Sequence, residues 1–145
     1  MARVRVSTTI AAPPVQVWAD IRHIDRHVEW MGDAVSITFT GQQREGVGAS
    51  FACATRLGPF RTTDRMVVTE WADGERIAIR HVGAVTGEGA FTLAPDGNGT
   101  RFSWDEELRF PWWLGGAVGA AVAAPVLARV WRRNLEALRR RFDAR

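Results

Sequence analysis

The chain has no lysine and no tyrosine, and its 145 residues include one cysteine, Cys53. A single thiol cannot close an internal disulfide. That excludes a disulfide-stapled secreted scaffold and points to a reducing compartment. All 19 basic residues other than histidine are arginine, a bias we attribute to genome composition rather than to function. The opening segment Met1–Val6 has no apolar run of signal-peptide length, so a cytoplasmic protein is expected. No charged residue occurs from Pro111 to Ala128. A membrane-spanning helix needs about 20 apolar residues. Phe110–Ala128 approaches that length but contains Gly115, Gly116, Gly119 and Pro125 and is otherwise rich in alanine, so no span is expected.

The charge that is present is unevenly placed. Residues 129–145 hold seven arginines against Glu136 and Asp143, a local excess of +5, while the whole chain carries +3 and the first 128 residues therefore −2. A basic tail can mark a nucleic-acid or anionic-membrane partner. No stacking aromatics interleave with these arginines, and no recognition module is visible, so nucleic acid is not expected. Peripheral membrane contact stays open, as does the oligomeric state. Leu127, Trp131, Leu135, Leu138 and Phe142 recur at steps of four and three, the mark of one buried helical face. The arginines lie off that stripe and read first as its solvated side.

A chain of this length can bury a core without staples, and one domain over 1–145 is expected. Val4, Val6, Thr8 and Ile10 alternate with polar residues, a half-buried strand. Ala11-Ala12-Pro13-Pro14 ends it, and Val15, Val17, Trp18 and Ile21 follow helical spacing. His23–Trp30 reads as a second short helix or turn. Six strands follow, around 35–40, 51–57, 60–71, 76–81, 87–93 and 100–110, separated by turn signals such as Gly58-Pro59, Ala72-Asp73-Gly74 and Asp96-Gly97-Asn98-Gly99. The face presented by 60–71 is ambiguous, because Met66 and Val68 compete with Val67 and Trp71. Consecutive strands joined by tight turns make an antiparallel sheet whose apolar face needs a cover, and the C-terminal helix is the one element long enough. The fold class is α+β: a curved antiparallel sheet of about seven strands, in the order β-α-α-β6-α, wrapped around a long helix.

Three stretches carry a resemblance: Ile10-Ala11-Ala12-Pro13-Pro14-Val15-Gln16-Val17-Trp18, Val68-Thr69-Glu70-Trp71, and Gly99-Thr100-Arg101-Phe102-Ser103-Trp104 leading to a helix with Leu135 and Leu138. With them the chain resembles the START-like, helix-grip superfamily of polyketide cyclase/dehydrase-like proteins, Bet v 1-type allergens and lipid-transfer domains, over nearly its whole length. The resemblance implies the helix-grip fold and a cavity between sheet and helix. It says little about chemistry, because the superfamily hosts cyclases, hydrolases, carriers and receptors.

If the inner face follows the apolar alternation, Cys53, Thr55, His81, Glu106, Thr62 and Asp64 point inward. Glu106 stands where Phe102, Trp104, Leu108 and Phe110 call for an apolar side chain. A buried carboxylate must find a partner or raise its pKa, and in an aromatic pocket it can donate a proton. The alternative is a sheet-end glutamate paired with arginine. His81 closes the Ile77-Ile79-His81 face and could serve as a base, or be satisfied by backbone. Cys53 has no activating base nearby in sequence and reads as an inert thiol. His23 and His27 are spaced i,i+4, but Ile24 breaks the zincin pattern, so no metal is expected, and no cofactor. Residues 112–126 read as the small-residue wall of the pocket. The expected ligand-contacting set is Trp30, Phe39, Phe51, Phe91, Trp104, Trp113, Ala117 and Ala121.

Three functions compete. The first is a binder of a hydrophobic small molecule, lipid, polyketide or isoprenoid-like. The second is a cyclase- or aromatase-like enzyme using Glu106, His81 and Asp64; the arginine and tyrosine roles the resemblance would bring have no clear counterparts here. The third is a membrane-peripheral protein inserting Trp112-Trp113-Leu114, backed by the arginines of 129–141.

Overall fold

The computed structural model describes residues 1–143, so the last two residues of the expected 1–145 unit lie outside the described residues. The element order is β1 (Ala2–Ile10), α1 (Pro14–Ile21), a 3₁₀ turn (Ile24–Glu29), β2 (Ala34–Phe39), β3 (Ser50–Leu57), β4 (Phe60–Ala72), β5 (Arg76–Val82), β6 (Thr86–Asp96), β7 (Gly99–Arg109), a second 3₁₀ turn (Trp112–Leu114) and α2 (Gly116–Arg140). The strands form one antiparallel sheet in the order β1-β7-β6-β5-β4-β3-β2. Only β1 breaks sequence order, and its pairing with β7 brings the chain's start beside its last strand. This is the helix-grip fold, a curled sheet holding one long helix.

A bulge settles the phase of β4. Val68 pairs with Ile79 and Trp71 with Ile77, so β4 spends three steps where β5 spends two. The extra residue flips the alternation. Asp64, Met66 and Val68 share the inner face before the bulge, and Trp71 joins it after, which is why two alternations competed in the sequence. Cys53, directly opposite Asp64, and Met66, opposite His81, fix where those polar groups lie across the sheet.

The 25 residues of α2 rise about 37 Å at 1.5 Å each. Its inward face carries Ala120, Leu127, Trp131, Asn134, Leu135 and Leu138, resting on β1 and β7. Trp131 stacks on Trp104 with ring centroids 4.6 Å apart and planes 15° apart. Burying such a pair stabilises through both area and ring contact. At the far end Arg141 grips Asp20 of α1 through two nitrogens, at 2.9 and 3.0 Å. Asn134 accepts from the Gly32 amide at 3.0 Å and donates to Asp33 at 2.8 Å. That pair of bonds ties the loop before β2 to the helix.

The uncharged first half of α2 lies elsewhere than the sequence pattern suggested. Ala117 and Ala121 are exposed, and so are Trp113 and Trp112, the latter at 87%. A helix resting on a sheet offers it one side only, and here that side carries Ala120 and, partly buried, Ala124. Gly115, in the left-handed region at φ 90°, ends the 3₁₀ turn and redirects the chain, leaving both tryptophans facing out. The stretch 112–126 is therefore an outer surface and not the wall of an internal pocket.

Candidate functional site

Between the sheet and the helix lies a cavity of about 110 Å³. Its wall is mostly apolar: Ile24, Met31, Ile37, Phe51, Met66, Ile77, Ile79, Phe91, Trp104 and Trp131. The polar groups that reach it are His27, Asp33, Cys53, Thr55, Asp64, His81 and Glu106. Thr62 shares the β4 inner face but lies beyond the cavity and is exposed.

Glu106 on β7 and His81 on β5 are separated by a whole strand. Glu106 pairs across the ladder with Gly89, and His81 with Gly87. A Cβ at Gly89 would stand 2.5 Å from the Glu106 carboxylate, closer than real Cβ contacts come. The missing side chain leaves a channel over β6 through which Glu106 reaches His81. The His81 Nε2 and Glu106 Oε1 lie 2.6 Å apart, and both side chains are buried, at 6% and 8% exposure.

This pairing decides the state of His81. Burial disfavours the imidazolium, but the hydrogen bond to Glu106, its charge, and the charge of Asp64 outweigh burial. The His81 pKa is raised above its ordinary 6.5. Its other nitrogen, Nδ1, is buried with no hydrogen-bond partner among the described residues. A buried imidazole nitrogen without a partner is costly in an apolar wall, and it is the one such side-chain atom among the described residues.

Asp64 titrates above the usual aspartate range, through burial first and then the charge of Glu106, with His81 opposing. Cys53 is pushed up to about 11 by burial. At neutral pH it is a thiol, 3.7 Å from the Thr55 hydroxyl, and not a nucleophile. His27 behaves oppositely to His81. Burial lowers it to about 4, and its Nε2 lies 2.7 Å from the Ile21 carbonyl, to which the neutral ring donates.

The ligand-contacting residues expected from sequence divide into two groups. Phe51, Phe91 and Trp104 line the cavity. Trp30 is buried one layer behind it, packed 5.8 Å from Phe91 and 6.1 Å from Trp104 between ring centroids. Phe39 faces a polar surface cleft with Arg22, Gln43, Arg44 and Glu45, under the Arg44 guanidinium at 5.0 Å. Trp113, Ala117 and Ala121 lie on the outer surface. Sequence reasoning did not place His27, Met31, Asp33 or Trp131 at the cavity, nor Gly89 beneath Glu106. The one available signal was the Gly87, Gly89 alternation on an otherwise apolar face.

Residues 1–143 match the family described as polyketide cyclase / dehydrase and lipid transport. The chain belongs to that family. The polyketide cyclase / dehydrase and lipid transport family supports a role in hydrophobic ligand binding or cyclisation, without fixing a ligand or an activity. The chain matches no curated protein. Among solved structures, a Thermus thermophilus protein superimposes with TM-score 0.81 at 20% identity, covering 98% of this chain and 97% of its own. A START superfamily protein from Mycobacterium smegmatis gives 0.78 at 12% identity, with 99% of each chain covered. A Thermobifida fusca protein gives 0.78 at 18%, covering 99% and 95%. At these identities the likeness is one of fold.

Proposed function

We infer that the protein binds a small apolar molecule bearing one hydrogen-bonding oxygen in the cavity between sheet and α2. The unpartnered, buried His81 Nδ1 in a mostly apolar wall carries this reading. A ligand oxygen on that nitrogen supplies the missing bond, accepting from the imidazolium or donating to the neutral ring. Few polar groups fixing orientation within apolar walls is the usual build of a small-molecule site. Size narrows the ligand. Typical pockets run about 300–1,000 Å³, and an apolar cavity of about 150 Å³ holds benzene. The 110 Å³ here suits one ring, or the oxygen-bearing end of a longer lipid, polyketide or isoprenoid-like chain.

Native mass spectrometry after incubation with cell extract tests it. An apolar ligand should be retained by the wild-type protein and lost when Cys53→Phe fills the cavity. A wild-type protein that retains nothing, or Cys53→Phe retaining the same mass, sinks the reading.

The His81–Glu106 contact favours a second reading, acid–base catalysis. With Nε2–H donating to Glu106, the free Nδ1 takes a proton from a carbon beside a carbonyl. It returns that proton to a departing β-hydroxyl, so that water leaves and the histidine is restored. Glu106 positions the ring and offsets its charge. The neutral ring is the active form, so the rate should rise with pH through the raised His81 pKa. A β-hydroxy ketone turned over equally by wild type, His81→Ala and Glu106→Gln would remove this reading and leave binding untouched.

A further inference from the structure

The geometry points to the outward face of α2 and the turn before it as a docking surface for an anionic lipid bilayer. It is independent of what the cavity binds.

The outward face of α2 is continuous, and its character changes once along its length. Positions 118, 122 and 126, then 129, 133 and 140, fall within one side of a helix turning 100° per residue. Val118, Val122 and Val126 are exposed, at 74%, 68% and 55%. Beyond them Arg129, Arg132, Arg133 and Arg140 are exposed on the same side. From Phe110 to Leu135 the chain has no acidic residue, and Glu136, the first, is engaged by Arg139 and Arg140.

The apolar half continues into the turn, where Trp112 and Trp113 are exposed. The sheet register adds to that end. Ala2 pairs with Leu108 and Thr86 with Arg109, so Met1 and the β5–β6 turn lie where β7 hands over to the tryptophans. Met1 and Val82 are exposed there. Single exposed apolar residues are ordinary, but a contiguous patch marks an interaction site.

Charge selects the occupant. A second copy docked in parallel would set arginines against arginines. Docked antiparallel, it would bury those arginines against valines with no counter-charge. A bilayer with anionic headgroups meets both halves at once. Tryptophan and valine enter the interface while the arginines reach phosphates a turn or more along. The contact is peripheral, since no helix among the described residues is long and apolar enough to cross a membrane.

Co-sedimentation with phosphatidylcholine vesicles, with and without 30% phosphatidylglycerol, tests the surface. The wild-type protein should pellet with the anionic vesicles, with blue-shifted tryptophan fluorescence, and be released by high salt. Trp112→Ala/Trp113→Ala and Arg129→Gln/Arg132→Gln/Arg133→Gln should each weaken binding about tenfold or more. These positions are exposed, and unchanged circular dichroism would show the variants folded. The proposal is overturned if the protein ignores anionic vesicles or if both variants bind like wild type. It is overturned equally if sedimentation equilibrium shows a dimer that Val122→Asp dissociates, which would make the face an interface between copies.

Discussion

Glu106 and His81 stand two strands apart, yet their side chains meet at 2.6 Å because Gly89, on the strand between them, has no side chain to keep them apart. A buried acid–base contact is thus held by an absence. That relationship makes the state of His81 depend on a residue that never touches it through a polar atom.

Gly89→Ala isolates the effect. The added methyl competes with a flexible carboxylate, so Glu106 should swing aside and the sheet should survive. His81 then keeps its burial but loses its hydrogen bond. Its pKa should fall from its raised value, because the hydrogen bond that helps outweigh burial is lost while the charges of Glu106 and Asp64 remain nearby. An NMR titration of the His81 ring protons reads this directly. An unmoved His81 pKa in a folded Gly89→Ala protein would mean that the glycine does not gate the contact.

Removing either partner alone should be costly, and removing both should cost less than the two single losses added together. His81→Ala leaves a buried carboxylate unpaired, and breaking a buried pair costs about 3–5 kcal/mol. The double variant His81→Ala/Glu106→Ala should lose less than the sum of the single ones, with a coupling of about 1–3 kcal/mol in urea unfolding. Additive single costs would mean that the two groups do not stabilise each other.

The two buried histidines should shape stability against pH in opposite senses. His81 has a raised pKa, so the folded state holds the extra proton. Its contribution is full below about 6.5 and is lost as pH rises through the raised value. His27 is lowered to about 4, so the unfolded state takes up the proton first. Its contribution is full above about 6.5 and is lost as pH falls toward 4, a loss of about 3 kcal/mol. Melting temperatures from pH 4 to 9 should therefore peak near neutrality. His27→Gln should flatten the acid limb and His81→Gln the alkaline one. If either substitution leaves its own limb unchanged, that histidine is not the source.

Much of this arrangement is legible in the sequence. Periodicity placed every strand, because inner and outer faces alternate in polarity along β1, β3, β5 and β7. The strand β4 was ambiguous for a physical reason: a bulge between Val68 and Glu70 makes two alternations true in one strand. Glu106 and His81 stood out as polar residues in apolar phase. Their meeting did not, because it depends on strand order and on Gly89, and strand order is a long-range property. The helix misled for a different reason. An uncharged, small-residue run satisfies either a pocket wall or an outer face, and helical phase separates them only once it is known which of Ala120 and Ala121 the sheet sees.

Those two neighbours give the sharpest check on α2. Ala120 is fully buried where the helix rests on the sheet, while Ala121, 100° round the axis, is exposed. Adding the same three carbons at each site should have unequal consequences. Ala120→Leu forces volume into a close helix–sheet contact and should destabilise by about 1–3 kcal/mol. Ala121→Leu meets solvent and should stay within about 0.5 kcal/mol of wild type. Because Ala121 is exposed at the edge of the valine-bearing side, about 60° round the axis from Val118, the second substitution should also strengthen vesicle binding by several-fold, since it adds apolar area beside that surface. Thermal unfolding of both variants, with co-sedimentation of the second, distinguishes an outer face from a pocket wall. A pocket wall would have Ala121→Leu obstruct the cavity and leave vesicle binding unchanged.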